Sequence, residues 1–304
     1  MRVVFMGTPD FAVPSLRALA AAHDVNLVLT RPDAVRGRGK RLEPSPVKAA
    51  ATELAIDVLE TNRITPEALE RIKAARPDII CVAAYGCILP DSVLALAPHG
   101  CVNVHGSPLP RWRGAAPIQR AVLEGDELAG VSIMRVVHDL DAGAYCRQTT
   151  TPVGEKSCPE LMAEVAELGA CELLAALDDI EAGCATWVEQ DESQVTYAKK
   201  IDKAEMRLDP ADAAARNLRR VRASLDAAPA RLSVAGKGVR ALAARASDAH
   251  VAPGSVLVVK GRVHLGCADG AIELTRVKPD GKREMEAAAW SQGLHADAPT
   301  WERL

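Results

Sequence analysis

Aromatic residues are scarce in this 304-residue chain: Phe, Trp and Tyr together make up 3% of it. Its cores must therefore be assembled from Ala, Val, Leu and Ile. The eight cysteines include no Cys-x-x-Cys pair, which argues against a zinc ribbon or a redox dithiol. Several sit in apolar runs such as Ile79-Ile80-Cys81-Val82, where Cys acts as a small buried hydrophobe. No stretch approaches about 18 uninterrupted apolar residues. The N-terminal run Val3–Met6 stops at Gly7-Thr8-Pro9-Asp10, far short of a signal peptide. A cytoplasmic protein with reduced thiols and no membrane attachment is expected. The G-x-G-x-x-G fingerprint and the Walker A loop are also missing. Gly37-Arg38-Gly39-Lys40 fits neither spacing, so a dinucleotide oxidoreductase is disfavoured.

Neither charge dominates, and a net charge of −3 implies no overall polyanion partner. The distribution is uneven. Residues 204–304 carry sixteen Lys and Arg against twelve Asp and Glu, whereas residues 1–203 carry twenty-one against twenty-eight. A basic tail on an acidic body hints at a nucleic-acid contact. A solvated basic surface explains the same numbers.

Short apolar runs alternate with helical patterns through the first half. Strands are expected at Arg2–Met6, Val25–Thr30, Asp78–Ala83, Gly100–Val104 and Val131–Val137, and helices at Phe11–Ala22, Val47–Leu54, Pro66–Ala75 and Asp91–Ala97. Such alternation predicts an α/β fold with a doubly wound, mostly parallel sheet. The continuous apolar character of the strands fits burial on both faces. A helix over Cys158–Glu181 is the clearest element. Ser157 and Glu160 form a capping box, Leu161, Val165, Leu168 and Leu177 line one side, and Gly183 ends it. From residue 204 the pattern changes to a basic helix, Asp212–Ser224, and short runs at Arg231–Val234, Gly254–Val259, Arg262–Gly266 and Ile272–Val277. These predict a small C-terminal β-barrel domain, 204–304, after a first domain, 1–203, whose last part, 189–203, is a polar linker.

Asn103 and His105 lie two residues apart on one strand, so both side chains leave the same face. They sit at the strand's carboxyl end, where open α/β sheets place their ligands. An Asn amide can donate to a developing oxyanion, and an imidazolium can do the same or deliver a proton. Asp141, after the Val131–Val137 strand, is the candidate acid to hold or recharge the imidazole. No metal-ligand spacing appears, so no metal is expected. Taken alone, Asn-x-His is also compatible with a structural histidine.

The flanks add specificity. Phe5-x-Gly7-Thr8-Pro9-Asp10-Phe11, Gly37-Arg38-Gly39-Lys40, Pro44-Ser45-Pro46-Val47-Lys48, Ala84-Tyr85-Gly86, Asn103-x-His105-x-Ser107, Pro110-Arg111-Trp112-Arg113-Gly114-Ala115-Ala116-Pro117-Ile118-Gln119 and Leu140-Asp141-x-Gly143 occur in this order. The set closely resembles the methionyl-tRNA formyltransferase family over residues 1–203. The likeness continues more faintly in Asp191-Glu192, Thr196-Tyr197-Ala198 and Ala252-Pro253-Gly254. Asn-x-His and Asp-x-Gly alone would indicate only the wider folate-dependent formyltransferases.

The resemblance implies a Rossmann-like catalytic domain and an OB-like barrel that binds tRNA. It implies Asn103, His105 and Asp141 as a catalytic triad, 10-formyltetrahydrofolate as co-substrate and initiator methionyl-tRNA as partner, in a monomer. It places the folate against Ser107, Pro108, Leu109 and Pro110 and against Cys87, Ile88 and Leu89, with Val137–Asp141, including Asp139, closing over the ring. It makes Arg38 the candidate contact at the acceptor end of the tRNA, with Lys40 and Arg41 of the same loop as further tRNA contacts, and the basic helix supplies Arg219 and Arg220. Three departures stand out. Pro108 replaces the usual Leu and lacks an N–H. The usual Thr after Asp141 and acid after Gly143 are missing. Ser224–Pro229 stands where the family has an Asn-Pro-Trp-Pro stretch. Two rivals remain: a sugar-nucleotide formyltransferase with the same folate chemistry, and a non-catalytic RNA-binding protein on this fold.

Overall fold

The structure, a computed structural model, describes residues 1–35, 42–294 and 299–304. They form two compact units. One comprises Met1–Pro117, Leu128–Pro152 and Met162–Ala198; the other comprises Ile118–Glu127, Val153–Leu161 and Lys199–Leu304.

The first unit is built on a seven-stranded sheet. Its strands are β1 (Arg2–Gly7), β2 (Asp24–Thr30), β3 (Val58–Glu60), β4 (Ile79–Ala83), β5 (Cys101–His105), β6 (Leu128–Arg135) and β7 (Tyr145–Pro152). Their spatial order is β7-β6-β5-β4-β1-β2-β3. Strands β1 to β5 run parallel, and β6 runs antiparallel to both of its neighbours, β5 and β7. The central strands are apolar without alternation because both faces are covered: Val3, Val4, Phe5 and Met6 of β1 and Ile79, Ile80 and Cys81 of β4 are wholly buried. Burial also pushes the Cys101 thiol up to about 12, the behaviour of a packed, unreactive sulfur.

The helices begin where local chemistry satisfies their free N–H groups. Ser45 Oγ accepts from Lys48 N at the start of α1 (Pro46–Glu53), and Thr65 Oγ1 accepts from Ala68 N at the start of α2 (Pro66–Ala74). Each has Pro in its first turn, where the missing N–H is harmless. Cys158–Glu181 is helical with the expected box, since Glu160 accepts from Ser157 N at 2.8 Å. The expected helix at Asp91–Ala97 is a single turn, Asp91–Leu94. Strand β7 was not anticipated, although Thr149, Thr150 and Thr151 suit a strand.

The second unit holds an antiparallel, nearly closed barrel. Strands β8 (Arg231–Val234), β9 (Lys237–Ser247), β10 (Val256–Val259), β11 (Arg262–Cys267), β12 (Gly270–Pro279) and β13 (Trp301–Glu302) lie in the order β10-β11-β12-β9-β8-β13. A bridge between Ser255 and Thr300 brings the two ends together. Trp301 is buried there, and its indole N–H donates to the Gly266 carbonyl at 2.9 Å. The helix α3 (Ala214–Arg222) contributes Val221 to the core with Leu232, Val239, Leu265 and Ile272. Strand β9, the longest of the barrel, has the composition of a helix: it holds four alanines and two arginines. Pairing with β12 on one side and β8 on the other overrides that propensity.

Glu273 of β12 is 4% exposed and accepts from Arg245 Nη2 at 2.9 Å and Arg262 Nε at 3.0 Å. The Arg262 bond leads in holding its carboxyl down at about 2, against an ordinary 4.5. A depressed carboxyl stabilises the fold above its unfolded value, and that stabilisation disappears as pH falls through the folded value. The urea midpoint of the second unit should therefore drop between pH 4.5 and 2. Glu273→Gln should be less stable at neutral pH and change less across that window.

Candidate active site

Strand β5 ends on His105, which is 5% exposed, with Asn103 half-buried two residues before it. His105 Nε2 lies 2.9 Å from the Trp112 carbonyl. A carbonyl only accepts, so Nε2 carries a proton. Nδ1 then faces Asp141 Oδ2 at 3.6 Å, near enough for charge pairing but too long for a direct hydrogen bond. The same carboxylate oxygen accepts from Gly114 N at 2.8 Å. Among the described residues no protein group hydrogen-bonds the Asn103 amide, so a ligand can take it. The structure thus brings His105 and Asp141 together, with Asn103 on the same strand.

Backbone geometry sets this arrangement. Trp112 and Asp141 both have left-handed φ values, +65° and +48°, unusual for residues with a Cβ. Gly114 has φ +118°, and a Cβ there would meet the Ala198 carbonyl oxygen at 2.9 Å. Gly143 is still tighter, since a Cβ would run into the Arg135 carbonyl oxygen. Two residues that the sequence reading left without a role complete the shell. Arg113 is 3% exposed, and its Nε donates to Gln190 Oε1 at 2.9 Å. Gln190 Nε2 donates to the carbonyls of Asp141 and Gly143, both at 2.8 Å. No periodicity marks Gln190 in the sequence; the nearest signal was the Asp191-Glu192 likeness beside it.

The expected folate residues divide by exposure. Ser107, Leu109 and Leu89 are buried, whereas Pro108, Pro110 and Cys87 are partly open and Ile88 is 88% exposed. The loop's polar groups are engaged in its own support. Leu109 N donates to Ser132 Oγ, which in turn donates to the Ser107 carbonyl at 2.7 Å. Leu109 O accepts from Gln148, and Ser107 Oγ donates to Arg111 O. Asp139 is exposed beside Leu140, itself 64% exposed.

Of the expected tRNA contacts, Arg38, Lys40 and Arg41 lie outside the described residues. Arg219 is half-buried and donates to the Glu124 carbonyl at 2.7 Å. Arg220 is 8% exposed, bonded to Asp212 at 2.6 Å and to the Glu205 carbonyl at 2.9 Å. Its guanidinium serves the domain's interior, because it lies on the helix face that carries Asn217 and Val221 inward. The helix's outward cation is Arg216, with 61% of its side chain exposed. Among the described residues no group of His, Cys, Asp and Glu could hold a metal, and no helix is long and apolar enough to cross a membrane.

Residues 1–177 match the formyl transferase family, and residues 200–295 match the formyl transferase C-terminal domain. Fold and sequence together define a formyl transferase. The methionyl-tRNA formyltransferase of Rhizorhabdus wittichii is 46% identical over 304 residues, covering 99% of this chain and 97% of its own. That of Methylococcus capsulatus is 43% identical, covering 100% and 99%. The chain belongs to the methionyl-tRNA formyltransferase family. Two solved structures share its fold at low identity. HypX from Aquifex aeolicus in complex with tetrahydrofolic acid has a TM-score of 0.66 at 22% identity over 95% of this chain, which spans about half (46%) of HypX. The sugar 3N-formyl transferase WlaRD, in the presence of dTDP and 5-N-formyl-THF, has a TM-score of 0.66 at 11% identity, covering 93% of this chain and 99% of its own.

Gly143→Ala should test how tightly the Asp141 loop is held. The added methyl must displace the Arg135 carbonyl, so the variant should lose about 1–3 kcal/mol of stability, as overpacking does. Turnover by the folded fraction should fall by about 10²-fold if Asp141 moves by an ångström. Calorimetry beside steady-state kinetics measures both.

Proposed function

We propose that this chain transfers the formyl group of 10-formyltetrahydrofolate to the α-amino group of methionyl-initiator-tRNA, with Asn103, His105 and Asp141 carrying the chemistry. The supporting observation is the convergence of His105 and Asp141 at the end of β5, with the Asn103 amide, which no described protein group hydrogen-bonds, on the same strand. The neutral amine attacks the formyl carbon, and the carbonyl electron pair moves onto oxygen. Asn103 donates to that oxyanion. On collapse, the bond from carbon to folate N10 breaks as the amide forms. The amine loses one proton and N10 gains one, and His105 Nδ1 with Asp141 is the pair that can carry it. A preorganised donor of this kind is worth about 10²–10³ in turnover.

The folate reading draws support from shape. Ile88, Val137 and Leu140 are exposed apolar side chains on the two loops expected to flank the ring. Exposed apolar groups beside a polar reacting centre suit a flat heterocycle. The barrel, residues 204–304, is assigned to the tRNA. Its support is the local excess of basic residues, among them Arg216, which is 61% exposed and pairs with Asp212 at 3.0 Å. At Arg220 a phosphate would have to compete with Asp212 and the Glu205 carbonyl, to which the guanidinium is bonded.

Sugar-nucleotide transfer is the rival on the same fold. Identity favours the tRNA acceptor: sugar formyltransferases of similar fold are 11% and 14% identical, whereas tRNA enzymes exceed 40% over both domains. With 10-formyltetrahydrofolate as donor, charged initiator tRNA should be formylated and a sugar-nucleotide amine left untouched. The reverse result overturns the assignment. Asn103→Ala and His105→Ala should each lose about 10²–10³ in turnover while tRNA affinity, read by filter binding, stays near wild type. Near-normal turnover in either folded variant removes that residue from the mechanism.

A further inference from the structure

We propose that Gln190 is a positioning residue that sets Asp141 against His105, so that the segment from Gln190 to Ala198 is part of the catalytic apparatus. This rests on the reading of His105 and Asp141 as the reacting pair. Asp141 stands in a left-handed conformation (φ +48°), uncommon for residues with a Cβ even though Asp tolerates it better than most. Something must hold it there, and the Gln190 amide does so directly. Both hydrogens of its Nε2 are committed, one to the Asp141 carbonyl and one to the Gly143 carbonyl, each at 2.8 Å. Rotating the amide by half a turn would aim an oxygen at two carbonyls. It would also aim an NH2 at the Arg113 guanidinium, whose Nε now donates to Gln190 Oε1 at 2.9 Å. The amide therefore has one permitted orientation.

Arg113 is fixed in turn. It is 3% exposed, and its Nη2 donates to Glu192 at 2.7 Å. The same segment also holds the other half of the pair. Thr196 Oγ1 accepts from Trp112 N at 2.9 Å, and Thr196 O accepts from Arg113 N at 2.9 Å. Trp112 is the residue whose carbonyl anchors His105 Nε2. One short stretch of chain thus sets the backbone behind the imidazole and the backbone behind the carboxylate. Gln190 is 9% exposed and touches neither reacting atom, so its effect must pass through Asp141.

The test uses the full chain with Gln190→Glu and Gln190→Met, assayed by formyl transfer to charged initiator tRNA across pH. Glu keeps the shape but, when ionised, offers the two carbonyls no hydrogen; Met keeps the length and offers none at any pH. The charged and titratable groups around the position are Arg113, Glu192, Asp141 and His105. Both variants should lose at least about tenfold in kcat at neutral pH, with both KM values within about twofold of wild type, and Gln190→Met, which leaves buried polar groups unpaired, should also lower the thermal midpoint. The Gln190→Glu rate, taken as a ratio to wild type, should climb as pH falls, because a protonated carboxyl donates again. The Gln190→Met ratio should stay flat. In an Asp141→Asn background Gln190→Met should add no further loss.

The inference is overturned if folded Gln190→Met and Gln190→Glu turn over at the wild-type rate. It is equally overturned if kcat, KM and thermal midpoint worsen together and the Glu ratio ignores pH, the pattern of a merely structural tie. Full activity in Asp141→Asn would instead overturn the underlying site assignment.

Discussion

A carbonyl oxygen can only accept a hydrogen bond, and the Trp112 carbonyl is pressed against His105 Nε2. That one contact fixes a proton on the far side of the imidazole and turns Nδ1 toward Asp141. Much of the surrounding architecture serves to keep the contact in place. Trp112 presents its carbonyl from a left-handed backbone conformation. Gly114 follows because no side chain would fit beneath the Ala198 carbonyl. The short pairing of Arg113–Gly114 with Tyr197–Ala198 stitches this turn to a segment more than eighty residues downstream. The sheet contributes the other requirement, a strand ending at His105 between β4 and the antiparallel β6.

The loop from Ser107 to Pro110 shows a related economy. Its hydrogen-bonding groups are turned inward onto Ser132, Gln148 and Arg111. What remains outward is proline ring, with Ile88 and Leu140 exposed on the neighbouring loops. A loop that has satisfied itself is rigid before any ligand arrives, so less ordering is required on binding. The Pro108 carbonyl joins this network by accepting from Arg111 N.

The central strands, the long capped helix and the Asn103–His105 spacing were legible in the sequence because each depends on neighbouring residues alone. Three things were not. Strand β9 reads as a helix by composition and is a strand only because β8 and β12 flank it. Arg220 looks like one more surface cation in a basic helix. It is buried because Asp212, eight residues away, and the Glu205 carbonyl meet it in space. Gln190 sits in a polar stretch that reads as a linker. Its role arises from contacts with Asp141 and Arg113, forty-nine and seventy-seven residues distant, which no local pattern can encode.

The second unit is assembled from three separate stretches of chain. Gln119 donates to the Ala223 carbonyl at 2.7 Å, Arg120 pairs with Glu205, and Arg222 donates to the Gly154 carbonyl at 2.6 Å. Residues 118–127 and 153–161 are thus part of a body most of which is encoded after residue 198. No single cut in the gene separates the two units cleanly. A fragment ending near residue 198 would carry two orphaned segments with their partners removed, and a fragment starting there would expose the carbonyl of Ala223 and the guanidinium of Arg222 to solvent. Grafting this barrel onto another enzyme would require transplanting three pieces of sequence.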